Sequence, residues 1–92
     1  MTQPHSAAKK RDLYEFVVAR HDKEQAIAVI QAKTGGQCLI NAHDQGPNVK
    51  LTVILYSDTP EGDVENIMEA FGEAHLEVHS YQAGKVAMED DF

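Results

Sequence analysis

At 92 residues the chain makes one domain, near the lower end of what folds alone without metals or disulfides. A hydrophobic share of 42% with 25% charged residues is ordinary globular composition and excludes disorder. The net charge of −7 opposes direct binding to a nucleic-acid backbone, and the single cysteine, Cys38, excludes an internal disulfide. No run approaches the length of a membrane span, and the N-terminus lacks the apolar core of a signal peptide. A cytoplasmic protein with a reduced thiol is expected, with no membrane contact.

The charge is unevenly placed. Residues 1–11 (MTQPHSAAKKR) have no hydrophobic period and read as a flexible arm that holds three of the eight basic residues. The folded domain is expected over 12–84, where four basic residues face twelve acidic ones. Residues 85–92 read as an acidic tail. Its Met88–Phe92 end looks like the acidic, Phe-ended tails with which single-stranded-DNA-binding proteins recruit partners, although a frayed acidic terminus also accounts for it.

Leu13 to Arg20 is β-branched and aromatic, a strand with Tyr14, Phe16 and Val18 on one face and Leu13, Glu15 and Val17 on the other. A helix follows, with Asp22 as its N-cap and Gln25 placed to close a capping box. Its broad apolar face is Ala26, Ile27, Val29 and Ile30, and Gly35-Gly36 stops it. Gln37 to Ala42 is a second, shorter strand, and His43 to Asn48 a loop marked by Gly46-Pro47. In the third strand Val49, Leu51, Val53 and Leu55 face the core, while Lys50, Thr52, Ile54 and Tyr56 face away. The second helix has Thr59 as N-cap, Pro60 at its first position and Val64, Ile67, Met68 and Phe71 as a buried stripe, with Gly72 near its end. Leu76 to Tyr81 makes the fourth strand, with Leu76 and Val78 inward.

The order is βαββαβ. Right-handed crossovers put both helices on one side of a four-stranded antiparallel sheet whose first and third strands are central. This α+β layout resembles the ferredoxin-like fold, which hosts many unrelated functions and transfers none. The spacing of the segments also looks like ACT-type regulatory domains and the small chaperones that mature periplasmic nitrate reductase. The glycine-containing turn that ACT ligand sites use after the first strand is replaced by Arg20-His21-Asp22-Lys23.

Between Leu51 and Glu77 there are seven acids and no lysine or arginine. Glu61, Glu65, Glu69 and Glu73 recur every four residues and form one ridge beside the apolar stripe. Like charges at that spacing repel by about 0.2–0.5 kcal/mol per pair. Such a ridge is either a solvated face or a docking surface for a basic protein. The expected function is therefore a non-catalytic acidic binding protein, in one version an inhibitor of nucleic-acid-handling machinery of the phage or mobile-element anti-defence type. The open sheet face, centred on Val17 and Ile54 with Tyr56 and His79 near, is expected to receive a second copy or a small ligand. A regulatory ligand-binding domain of ACT type is the alternative, and a chaperone that adds a basic peptide strand to a sheet edge is another.

Chemistry finds no anchor. Five histidines are available, but His75 and His79 span a helix end and a strand, and Cys38 and His43 differ in strand parity, so no metal site is expected. No Ser-His-Asp or Cys-His signature is present, and Gly35-Gly36 is a helix stop, not a phosphate loop. Neither an enzyme nor a cofactor is expected.

Overall fold

A computed structural model describes residues 9–56 and 62–88, with side chains placed for 11–56 and 62–86. Four strands, β1 (Lys9–Ala19), β2 (Cys38–Gln45), β3 (Asn48–Leu55) and β4 (Val78–Met88), form one antiparallel sheet in the order β2-β3-β1-β4. The helices α1 (Lys23–Thr34) and α2 (Val64–Glu73) complete the βαββαβ order of a ferredoxin-like α+β fold. No helix among the described residues is long and apolar enough to cross a membrane.

Strand alternation decides which face the helices cover. Tyr14, Phe16 and Val18 from β1 and Val49, Leu51, Val53 and Leu55 from β3 are all buried there. Ala26 and Ile30 from α1, Ile67 and Phe71 from α2, and Leu76 complete the core. Phe16 is its centre. Its ring meets Phe71 edge-on at 5.2 Å and Tyr14 at 6.2 Å, geometries that suit aromatic quadrupoles.

The hairpin between β2 and β3 is tighter than its sequence suggests. Gly46 has φ 68° and Pro47 is held near φ −65° by its ring, so a two-residue turn closes on the Gln45–Asn48 pair. The primed turn matches strand twist, and His43, Asp44 and Gln45 join β2 where a loop was expected. Arg20 then fastens the hairpin tip: its backbone N–H donates to Pro47 O at 2.9 Å and its guanidinium to Gly46 O at 2.6 Å.

Three other expectations change. Arg20–Asp22 forms a 3₁₀ turn that runs straight into α1, leaving Asp22 at φ −98°, ψ 4° with no side-chain capping bond. The capping box with Gln25 is not made, because a cap side chain reaches the next amides only from an extended backbone. The second helix starts at Val64, capped by Asp63, whose carboxylate accepts from Val64 N–H at 2.9 Å. Thr59, Pro60 and Glu61 lie outside the described residues. β1 and β4 are also longer than expected: the arm gives Lys9–Arg11 to β1, and Lys85–Met88 join β4 through the pairs Lys9–Met88 to Asp12–Lys85.

Candidate interaction surfaces

In α2, Ile67 and Phe71 are buried, and Val64 and Met68 pack against the core. At 100° per residue, Glu65, Glu69 and Glu73 point away from that side, and all three are exposed. They span about 12 Å along the axis. Glu61, the fourth residue of the expected ridge, lies outside the described residues. Two like-charge steps remain within α2, a cost of about 0.4–1 kcal/mol, and Glu65 in the first turn recovers part of it from the helix dipole.

Counter-charges are found elsewhere. Asp12 pairs with Lys85 at 2.7 Å, Glu15 with Lys50 at 3.8 Å, and Asp22 lies 3.5 Å from His21. Four cations of the folded part were candidates to neutralise α2. Lys50 is on Glu15 and Arg20 is on the Gly46 carbonyl, while Lys23 and Lys33 reach none of the three glutamates. Among the described residues, no ion pair quenches the α2 ridge.

The second surface is the uncovered face of the sheet, and the register orders it in rows. Leu39, Ile54, Leu13 and Gly84 lie side by side across the four strands. The next row is Asn41, Thr52, Glu15 and Gln82, and the row after it His43, Lys50, Val17 and Ser80. Leu13, Val17 and Ile54 are only half-buried, and Leu39 is exposed, so no element among the described residues covers them. A shallow hollow of about 120 Å³ lies at the β4 end of the apolar row, lined by Leu13, Glu15, Gln82 and Gly84 among others.

Val17 and Ile54 sit on the central strands of this face, two rows apart. Tyr56 follows β3 at one end, its carbonyl accepting from the Arg11 guanidinium, and His43 lies at the other end. The structure therefore does not bring His43 and Tyr56 together. The alternation that turns Leu76 and Val78 inward would put Tyr81 on the open face, but it pairs with Phe16 and lies on the helix side. The cause is a β-bulge: Val17 pairs with Ser80 and Val18 with Val78, so His79 is an extra residue and the alternation of β4 slips by one. His79 is exposed at that bulge, at the edge of the face. What the sequence reading passed over is the Leu13–Gly84 end of the apolar row. The parity of Leu13 with Glu15 and Val17 points to it, but Gly84 carries no strand signal of its own and stands where the sequence pattern ends the fold.

The polar groups do not converge. Among the described residues, no three His, Cys, Asp or Glu side chains cluster as metal ligands. The half-buried Cys38 thiol lies 3.2 Å from Thr34 Oγ1, which also donates to the Ile30 carbonyl at 2.9 Å, a local helix-end arrangement.

Two solved structures share this architecture. The solution structure of the C-terminal domain of the MgtC protein from Mycobacterium tuberculosis superposes with a TM-score of 0.63 at 12% identity, over 97% of this chain and 98% of that one. The crystal structure of MupZ from Pseudomonas fluorescens gives a TM-score of 0.51 at 15% identity, over 90% of this chain and 73% of the other. At those identities the likeness is one of fold. No family model and no curated protein matches the sequence.

Proposed function

We propose that the chain is a non-catalytic binding domain that docks through the outer face of α2 on a basic protein surface. The observation behind this reading is that Glu65, Glu69 and Glu73 stay exposed and unquenched among the described residues, while Asp12 and Glu15 of β1 have their own cations. A helix that retains such repulsion without an internal counter-charge offers a long-range field to a cationic partner. In its most specific form the domain is an inhibitor of a nucleic-acid-handling machine, of the phage or mobile-element anti-defence type, its carboxylates standing in for phosphates. A reducing, cytoplasmic setting suits the free Cys38 thiol.

The test is affinity capture from the native host with wild type and with the triple variant Glu65→Lys, Glu69→Lys, Glu73→Lys. A partner lost to the triple variant and released by moderate salt supports the reading, provided the variant keeps the wild-type urea midpoint. The same partner held equally by both proteins overturns it.

A second surface favours a second reading, in which the open sheet face is the seat of self-association, with or without a regulatory ligand between the copies. The uncovered row of Leu39, Ile54 and Leu13 supports it. A metabolite panel read by thermal shift tests the ligand part, since a bound ligand raises the midpoint by mass action.

A further inference from the structure

We infer that the open sheet face is self-complementary and receives a second copy of this chain about a two-fold axis that runs along the strands, midway between β1 and β3. The inference rests on the self-association reading and adds to it a specific geometry.

The argument comes from the order of columns in the sheet. Such an axis leaves each row facing itself and reverses the columns, so β3 lies over the partner's β1 and β2 over its β4. Ile54 of one copy then meets Leu13 of the other. Leu39, the exposed leucine at the β2 edge, falls over Gly84 at the β4 edge. Gly84 has no side chain, and the hollow beside it is of the size that takes a small apolar group: a knob at one edge faces a hole at the other.

Polar rows agree with the same axis. Asn41 faces Gln82, two amides able to exchange hydrogen bonds. Glu15 comes over the strand that carries Lys50, one step along it, so two carboxylates and two ammonium groups alternate across the join. No residue of either sign is placed opposite its own copy. An axis across the strands through the Glu15 row does worse, because it sets each Glu15 against its own copy and the Lys50 row of one copy against the apolar row of the other. Aligned packing of two sheets about 10 Å apart is an ordinary arrangement.

The area is modest. Four strands about 4.8 Å apart and eight residues long give roughly 500 Å² per copy. The total of about 1,000 Å² is near the lower limit for a specific contact, so dissociation on the order of micromolar is expected.

The experiment is sedimentation equilibrium of the full chain from about 1 μM to about 500 μM, a range chosen around that affinity. The wild type is expected to pass from monomer to dimer. Leu39→Ser removes the knob and Gly84→Leu fills the hole, and each is expected to weaken the dimer about a hundredfold or more, because the two-fold axis repeats the contact and one buried leucine is worth about tenfold. Gly84→Leu is the decisive variant, because a Cβ at Gly84 meets no atom within 4 Å and the monomer has room for it. A wild type that stays monomeric at the highest concentration overturns the self-association reading and this geometry with it. A wild-type dimer that both variants retain unweakened overturns the knob-and-hole geometry alone.

Discussion

The two helices lie on one side of one sheet and are finished in different ways. α1 is started by tertiary contact: the 3₁₀ turn before it is fixed to the β2–β3 hairpin tip through Arg20, and no side chain caps it. α2 is started locally, by Asp63 from an extended backbone. Both ends close alike, with N–H of Gly36 on Gln31 O and N–H of Leu76 on Phe71 O, each at 2.9 Å. The residue that makes the left-handed turn differs, since α1 uses Gly35 at φ 64° and α2 uses His75 at φ 61°. The surfaces differ as well: α1 mixes Lys23, Glu24 and Lys33, whereas α2 shows only acids. α2 tolerates its repulsion because Ile67 and Phe71 fix it to the core.

The largest expected effect tests that last statement. Phe71 is 1% exposed and stacks edge-on against Phe16, so Phe71→Ala should lose about 3–5 kcal/mol in urea denaturation. Val29 of α1 is only partly buried, and Val29→Ala should lose about 1 kcal/mol. Equal losses would mean that α1 carries more of the core than its burial indicates, and the contrast between the helices would break.

A smaller pair of variants sharpens the comparison at the C-terminal ends. An L-residue in the left-handed region costs about 1–2 kcal/mol, so Gly35→Ala should lower stability by about that amount. At the equivalent turn of α2 the sign reverses. His75→Gly should raise stability by about 0.5–1 kcal/mol, the relieved strain less the extra chain entropy of glycine. Urea midpoints that shift in the same direction for both variants would show that one of the two turns is held by something other than its backbone.

Much of this fold was legible because alternation and helical period are local. Phe16, Val18, Leu51, Val53, Ile67 and Phe71 are core for the reasons their spacing gives, and the ferredoxin-like order followed from the sequence of periods. What escaped was set by pairing. A bulge opposite Val17 and Val18 depends on two strands at once, and one extra residue at His79 was enough to move Tyr81 to the other face. β4 runs on to Met88 because β1 lies beside it, although Gly84 and Lys85 have little strand propensity of their own. The acidic ridge was visible as a period of four. The row that joins Leu39, Ile54, Leu13 and Gly84 was not, since its members come from four strands and only register aligns them.

The N-terminal ends give the smallest effect and the cleanest contrast. From sequence, Asp22 and Asp63 are both acids placed to cap a helix, and Asp22 had the better motif because Gln25 follows it. The backbone decides otherwise. Asp63 stands extended at φ −65°, ψ 149° and accepts from Val64 N–H, whereas Asp22 is already turning within the 3₁₀ segment and its carboxylate lies near the exposed His21. Asp63→Ala should therefore cost about 0.5–1 kcal/mol, the low end for a lost cap on an exposed helix. Asp22→Ala should stay within about 0.5 kcal/mol, because its carboxylate makes no cap bond and the histidine it lies near is 83% exposed. If the two losses prove equal, a cap bond forms at Asp22 in solution, and α1 is started by its own residues as α2 is. If only Asp63 matters, the entry of α1 belongs to Arg20 and the hairpin it grips, and the two helices are joined to the sheet by different kinds of contact.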